Sequence, residues 1–252
     1  MDPLPPLAAY ALRLGDDSLI LGQRLGEWCG HAPALEVDLS LANVALDLIG
    51  QATHFLGVAG ETENKGRDAD ALAFKRDVLD FSNCLLVEQP NGDFAQTVAR
   101  QFLFSHFQEV QFEALTQSKE PRLAAIAAKA VKEVTYHSRL ASDWVVRLGD
   151  GTEQSKARMI AGLDWMWRFV DELFAMDALE MKLSNEGVAL DKTTLRGAWD
   201  ARIEATLADA TLARPAPRRP VQGGRNGHHS EHLGHMLSEM QFLQRAYPGA
   251  VW

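Results

Sequence analysis

The stretch PRLAAIAAKAVKEVTYHSRLASDWVVRL, Pro121 to Leu148, places Leu123, Ala127, Ala130, Val134, His137, Ala141, Trp144 and Leu148 three or four residues apart. A helix turns once in 3.6 residues, so this spacing lays one apolar stripe along one face and predicts an amphipathic helix. Pro121 suits the first turn, where a missing N–H is no loss, and Gly149 suits the position just past the end.

The flanking sequence repeats the pattern. A helix is predicted from about Phe94 to Gln117, after the turn-rich Gln89-Pro90-Asn91-Gly92-Asp93. Asp38 is positioned to cap another that runs to about Ala59, and a first helix fits Leu4 to about Cys29. Shorter helices are expected around Ala71 to Val87, Ser155 to Met176 and Thr194 to Ala208. Arg214 to Gly227 holds three prolines and three glycines and reads as an extended arm, with a last helix after it. That segment either reaches across to a partner, burying the apolar Val251-Trp252, or covers its parent bundle.

No convincing alternating strand appears, so the fold class is all-α. Four helices of about twenty to thirty residues, with the longer connection between the second and third, predict a ferritin-like bundle. The expected organisation is one domain over 1–252, with 214–252 as a C-terminal arm and helix.

Composition excludes several function classes. Hydrophobic residues make up 46% and charged residues 23%, as in globular chains. A net charge of -9 with no dense basic block beyond Arg214 to Arg219 argues against nucleic acid and against anionic membranes. Met1-Asp2-Pro3-Leu4-Pro5-Pro6 lacks a basic region and an apolar run, so no export signal is expected. Cys29 and Cys84 are too few for a disulfide framework, which fits a cytoplasmic home.

Ferritin-like carboxylate proteins hold a metal pair with one Glu on each of two helices and a Glu-x-x-His on each of the others, because positions three apart share a face. The residues three before the eight histidines are Trp28, Gln51, Leu103, Val134, Arg225, Asn226, His229 and His232. None is acidic. His137 lies on the inward stripe, but its partner position is Val134, and Glu133 is one residue out of register and reads as a structural partner of His137. On the second helix, Asp47 is followed at the ligand spacing by Gly50, while His54 is preceded by the neutral Gln51. Glu109 and Glu113 could each fill a lone-carboxylate position, or be solvated or salt-bridged. An iron pair needs several carboxylates to balance its charge, so Asp47, His54, Glu109, Glu113, Glu133 and His137 read as remnants of a ligand set. No catalytic, cofactor or working metal site is expected in the chain.

The run His228-His229-Ser230-Glu231-His232-Leu233-Gly234-His235 suggests zinc by composition, and His228, His232 and His235 would share a face if helical. Without a nearby Cys or a Glu at ligand spacing, it reads instead as capping and partner contacts. Trp165, Met166, Trp167 and Phe169 read as core and packing surface. No hydrolase elbow and no phosphate-binding glycine loop occurs.

LGDDSLILGQRLGEWCGHAPALEVDLSLANVALDLIGQA (Leu14 to Ala52) resembles the N-terminal region of the PaaC subunits of bacterial ring-1,2-phenylacetyl-CoA epoxidase. FSNCLLVEQPNGDFAQTVARQF (Phe81 to Phe102), AKAVKEVTYH (Ala128 to His137) and NGHHSEHLGHMLSEMQFLQR (Asn226 to Arg245) resemble the same family in the same order. The resemblance implies a multicomponent enzyme that epoxidises the aromatic ring with dioxygen. In that family the di-iron centre lies in a PaaA-type sister subunit, a small PaaB-type subunit accompanies it, and a PaaE-type reductase holds FAD and an iron-sulfur cluster. PaaC is regarded as the non-catalytic structural partner. The expectation is therefore a hetero-oligomer subunit without its own cofactor. The rivals are a self-sufficient di-iron oxygenase with an irregular ligand set, and a CoA-binding module using Arg214 to Arg219.

Overall fold

The computed structural model describes residues 4–250, and every regular element among them is helical. In chain order these are α1 (Pro6–Gly26), α2 (Leu35–Glu63), α3 (Ala69–Phe74), α4 (Leu85–Glu88), α5 (Phe94–Leu115) and α6 (Pro121–Gly149). They continue with α7 (Glu153–Trp167), α8 (Val170–Phe174), α9 (Ala178–Asn185), α10 (Arg196–Asp209), α11 (Glu231–Met240) and α12 (Phe242–Ala246). The chain forms two compact units, Met1–Gln89 with Gln222–Trp252, and Pro90–Val221.

In the first unit α1 is buried on nearly every side, so its charged residues need partners inside the protein. Asp16 receives the Arg76 guanidinium and the Ser82 N–H (2.9 Å), and Asp17 receives Arg225 (2.7 Å) and the Cys84 N–H (2.7 Å). Helix α2 can lie close because Gly15 has no side chain: a Cβ there would stand 2.8 Å from Leu56. The start of α2 differs from expectation. It begins at Leu35 after Ala34, and the Asp38 carboxylate accepts the Gly30 N–H (2.7 Å) rather than a first-turn N–H. Gly30 sits at φ 79 in the preceding turn, and its amide competes for the acceptor.

The expected helix over Ala71 to Val87 is broken into α3, a 3-10 turn at Val78–Asp80, and α4. Asp77 and Asp80 bond reciprocally to start the turn, and Arg76 turns inward to Asp16. Local side-chain hydrogen bonds and one buried charge override helical periodicity there.

In the second unit Asp93 caps α5 by accepting the Gln96 N–H (2.9 Å). On α6 the buried stripe runs Leu123, Ala127, Ala130, Val134, His137, Ala141, Val145 and Gly149. Trp144 and Leu148 are only half-buried, because the stripe continues in steps of four and drifts off their side of the helix. Trp144 instead packs edge-on to Phe94, ring centres 5.0 Å apart. Trp199 of α10 is fully buried against Phe174 and Trp167 and donates its indole N–H to the Leu103 carbonyl (3.0 Å). The helix expected over Ser155 to Met176 ends at Trp167, and the Val221 N–H donates to the Arg168 carbonyl (2.9 Å). Helix α9 has no counterpart among the helices expected from spacing.

The arm is non-helical up to a 3-10 turn at Gly224–Asn226, and it is tied to its own chain. Arg214 binds Asp200 (2.7 Å) and Glu204 (2.8 Å), and Arg218 binds Asp164. From Gln222 onward the segment belongs to the first unit, where Gln241 donates to the Ala73 and Arg76 carbonyls (both 3.0 Å). Val251 and Trp252, the apolar pair expected to meet a partner, lie outside the described residues.

Candidate functional site

Glu109 and Glu113 lie one turn apart on α5, and Arg202 of α10 contacts both carboxylates at 2.8 Å. Ser138 of α6 donates to the Thr135 carbonyl (3.1 Å). His106 stands one turn before Glu109, its Nδ1 3.7 Å from that carboxylate and its Nε2 2.9 Å from the Ser142 hydroxyl. Thr206 of α10 closes the chain on Ser142 (3.3 Å). Burial pushes the Glu109 carboxyl up, but the neighbouring His106 and Ser138 side chains and the charge of Arg202 outweigh it and hold it at about 2.

The arrangement is a charge cluster in which Arg202 balances both carboxylates. A hard cation approaching Glu109 would meet a guanidinium it cannot displace by deprotonation. Val134, with no exposed surface, stands where a ligand would precede the fully buried His137. Glu109 thus already has a cationic partner, and the position three before His137 carries no donor atom.

The remaining candidates are separated by burial. Glu133 is half-buried, off the α6 stripe that carries His137. On α2 in the first unit Asp47 is half-buried and His54 is exposed, while Gln51 is buried. The pairing of Gln51 with His54 thus does not put both side chains on one buried face, because helical positions three apart are separated by about 60° around the axis and the core edge falls between them. Among the described residues no three His, Cys, Asp or Glu side chains are grouped to hold a metal ion.

His106, Ser138, Ser142, Arg202 and Thr206 are not singled out by the sequence motifs. The spacing His-x-x-Glu, the reverse of the order tested, occurs at His106–Glu109 and again at His228–Glu231. Nothing local announces Arg202, 89 residues from Glu113.

In the histidine run, α11 begins only at Glu231, so His228 is not on a helical face with His232 and His235. His228 and His235 are exposed, and His229 turns inward to Glu88 (2.7 Å). A cleft of 340 Å³ beside Trp167 is lined by Arg196, Arg214 and Arg218, each already bound to a carboxylate, which leaves little positive charge for a phosphate. Met166, Trp167 and Phe169 are core residues; Trp165 is exposed beneath Arg168 (4.3 Å). Among the described residues no helix is long and apolar enough to cross a membrane.

Over residues 3–252 the sequence matches the PaaA_PaaC family, described as phenylacetic acid catabolic protein. The chain belongs to this family. It is 53% identical, over 246 residues, to the C subunit of the 1,2-phenylacetyl-CoA epoxidase of Escherichia coli (strain K12). The alignment covers 98% of this chain and 99% of that relative. Membership of the phenylacetic acid catabolic family assigns the chain a role in phenylacetate catabolism and agrees with its all-helical, ferritin-like class.

Proposed function

We propose that this chain is the non-catalytic structural subunit of a multicomponent phenylacetyl-CoA epoxidase. The observation that carries the reading is the Glu109–Arg202 pair (2.8 Å), which occupies with an internal cation the carboxylate a metal centre would use. Two further features support it. Val134 fills the ligand position before His137 with an aliphatic side chain, and α2 leaves Leu35, Leu39 and Leu46 more than half exposed (72%, 56% and 66%). Three leucines on one side of one helix suit burial in an assembly better than lasting contact with water.

On this reading the iron pair belongs to a PaaA-type catalytic partner, and FAD and an iron-sulfur cluster belong to a PaaE-type reductase, with a small PaaB-type protein as the remaining component. The present chain supplies surface and shape to the catalytic partner.

Coexpression with a tagged PaaA-type subunit tests this. The expected result is stoichiometric copurification, iron confined to the PaaA-type chain, and loss of its solubility or epoxidation when the present chain is omitted. Full epoxidation by the PaaA-type subunit, PaaB and reductase alone would overturn the reading.

A further inference from the structure

The buried histidine of the C-terminal segment makes two bonds that specify its charge. His229 Nε2 lies 2.9 Å from the Phe81 carbonyl oxygen, which can only accept, so that nitrogen carries a proton. Its Nδ1 lies 2.7 Å from Glu88 Oε2, and both side chains are excluded from water. The Glu88 carboxylate is itself surrounded by donors: Asn83 Nδ2 reaches Oε2 (2.9 Å) and the Ser230 N–H reaches Oε1 (2.6 Å). With Nε2 protonated by its carbonyl partner, an Nδ1–H directed at this acceptor makes the ring an imidazolium.

We propose that His229 and Glu88 form a pH-operated latch, in which imidazolium holds the segment around Asn226–Leu233 against α4 and neutral imidazole lets it open locally. Loss of the Nδ1 proton would set a ring lone pair against a buried carboxylate, and neither group can turn to water without moving the backbone.

Charged groups of α1 and of the segment itself face the latch. On α1, Asp16 adds negative potential at His229 but is engaged by Arg76, and Asp17 is engaged by Arg225 of the segment itself. Arg24, also on α1, donates to the Glu88 and His232 backbone carbonyls (2.9 and 3.0 Å) and so ties the same two stretches of chain together without titrating. Burial lowers the affinity of His229 for its proton, while the bonds to Glu88 and Phe81 raise it, and the balance lies above the ordinary 6.5. A raised value means the closed state is favoured fully below about 6.5 and loses that advantage as pH rises through the higher, closed-state value.

Amide hydrogen exchange of the full chain from pH 6 to 9, corrected for intrinsic rates, tests this together with a histidine Cε1 NMR titration. Between the open-state and closed-state values, exchange at residues 226–233 should accelerate roughly tenfold per pH unit as one proton is released. His229 should be imidazolium at pH 7. Glu88→Gln should abolish the pH dependence and leave the segment exchanging fast at pH 6. If that variant does not fold, the wild-type titration decides alone. A neutral His229 at pH 6, or exchange at 226–233 that is flat with pH, would overturn the proposal.

Discussion

The Arg202 guanidinium of α10 lies 2.8 Å from the Glu109 carboxylate of α5. The positive charge that stabilises the carboxylate comes from the protein itself, so the charge of Glu109 is balanced without an ion.

The Glu109 carboxyl, ordinarily near 4.5, is held at about 2. A depressed value contributes stability above the unfolded pKa, and that stability is lost as pH falls through the folded one. For this buried group the contribution is on the order of 3 kcal/mol, disappearing between about pH 4.5 and 2. Arg202→Met should reduce stability at pH 7 by about 1 to 3 kcal/mol and flatten the acid dependence. Urea denaturation at pH 7 and pH 3 compares the two proteins; an unchanged difference between the two pH values in the variant would refute the assignment.

Val134→Glu restores a Glu-x-x-His on α6, yet it should destabilise the chain by about 2 to 4 kcal/mol, because a lone carboxylate enters a wholly buried position. The melting temperature reports this directly. Stability equal to wild type, or a gain on adding ferrous iron, would show that the position is ready to coordinate.

Purified chain reconstituted with ferrous iron should retain far less than one iron per molecule, since Glu109 is engaged and His137 lacks a carboxylate three residues before it. Elemental analysis after gel filtration measures it. Two irons per chain would favour the self-sufficient oxygenase.

Gly224 lies against the backbone before α4, and an added Cβ would sit 2.2 Å from the Asn83 carbonyl oxygen. Gly224→Ala should therefore cost about 1 to 3 kcal/mol and expose the surrounding segment to protease, because backbone rather than a flexible side chain must give way. Cleavage kinetics near residue 224 identical to wild type would contradict this packing.

The long helices and their inward faces were legible because burial repeats with the helical period: Leu123, Ala127, Ala130, Val134 and His137 announce themselves through spacing alone. Asp38, read as an N-cap from local chemistry, is not one: α2 begins at Leu35 and Asp38 accepts the Gly30 N–H. The end of the α6 stripe was misread at Trp144 and Leu148, since a large apolar residue satisfies the pattern one position off the true face and Val145 does so equally well. The four-residue α4 and the eight-residue α9 were not legible, because one or two turns contain too few positions to establish a period.

By itself the sequence determined the helical class, the principal helix faces and the missing acidic residue before each histidine, all of which depend on neighbours within a few turns of one helix. Only the tertiary structure decided that Arg202 occupies Glu109, that Arg225 occupies Asp17 and that Glu88 receives His229. Those partners stand on different elements, and a buried charge accepts whichever opposite charge the fold brings within hydrogen-bond reach, a distance that spacing along the chain does not encode.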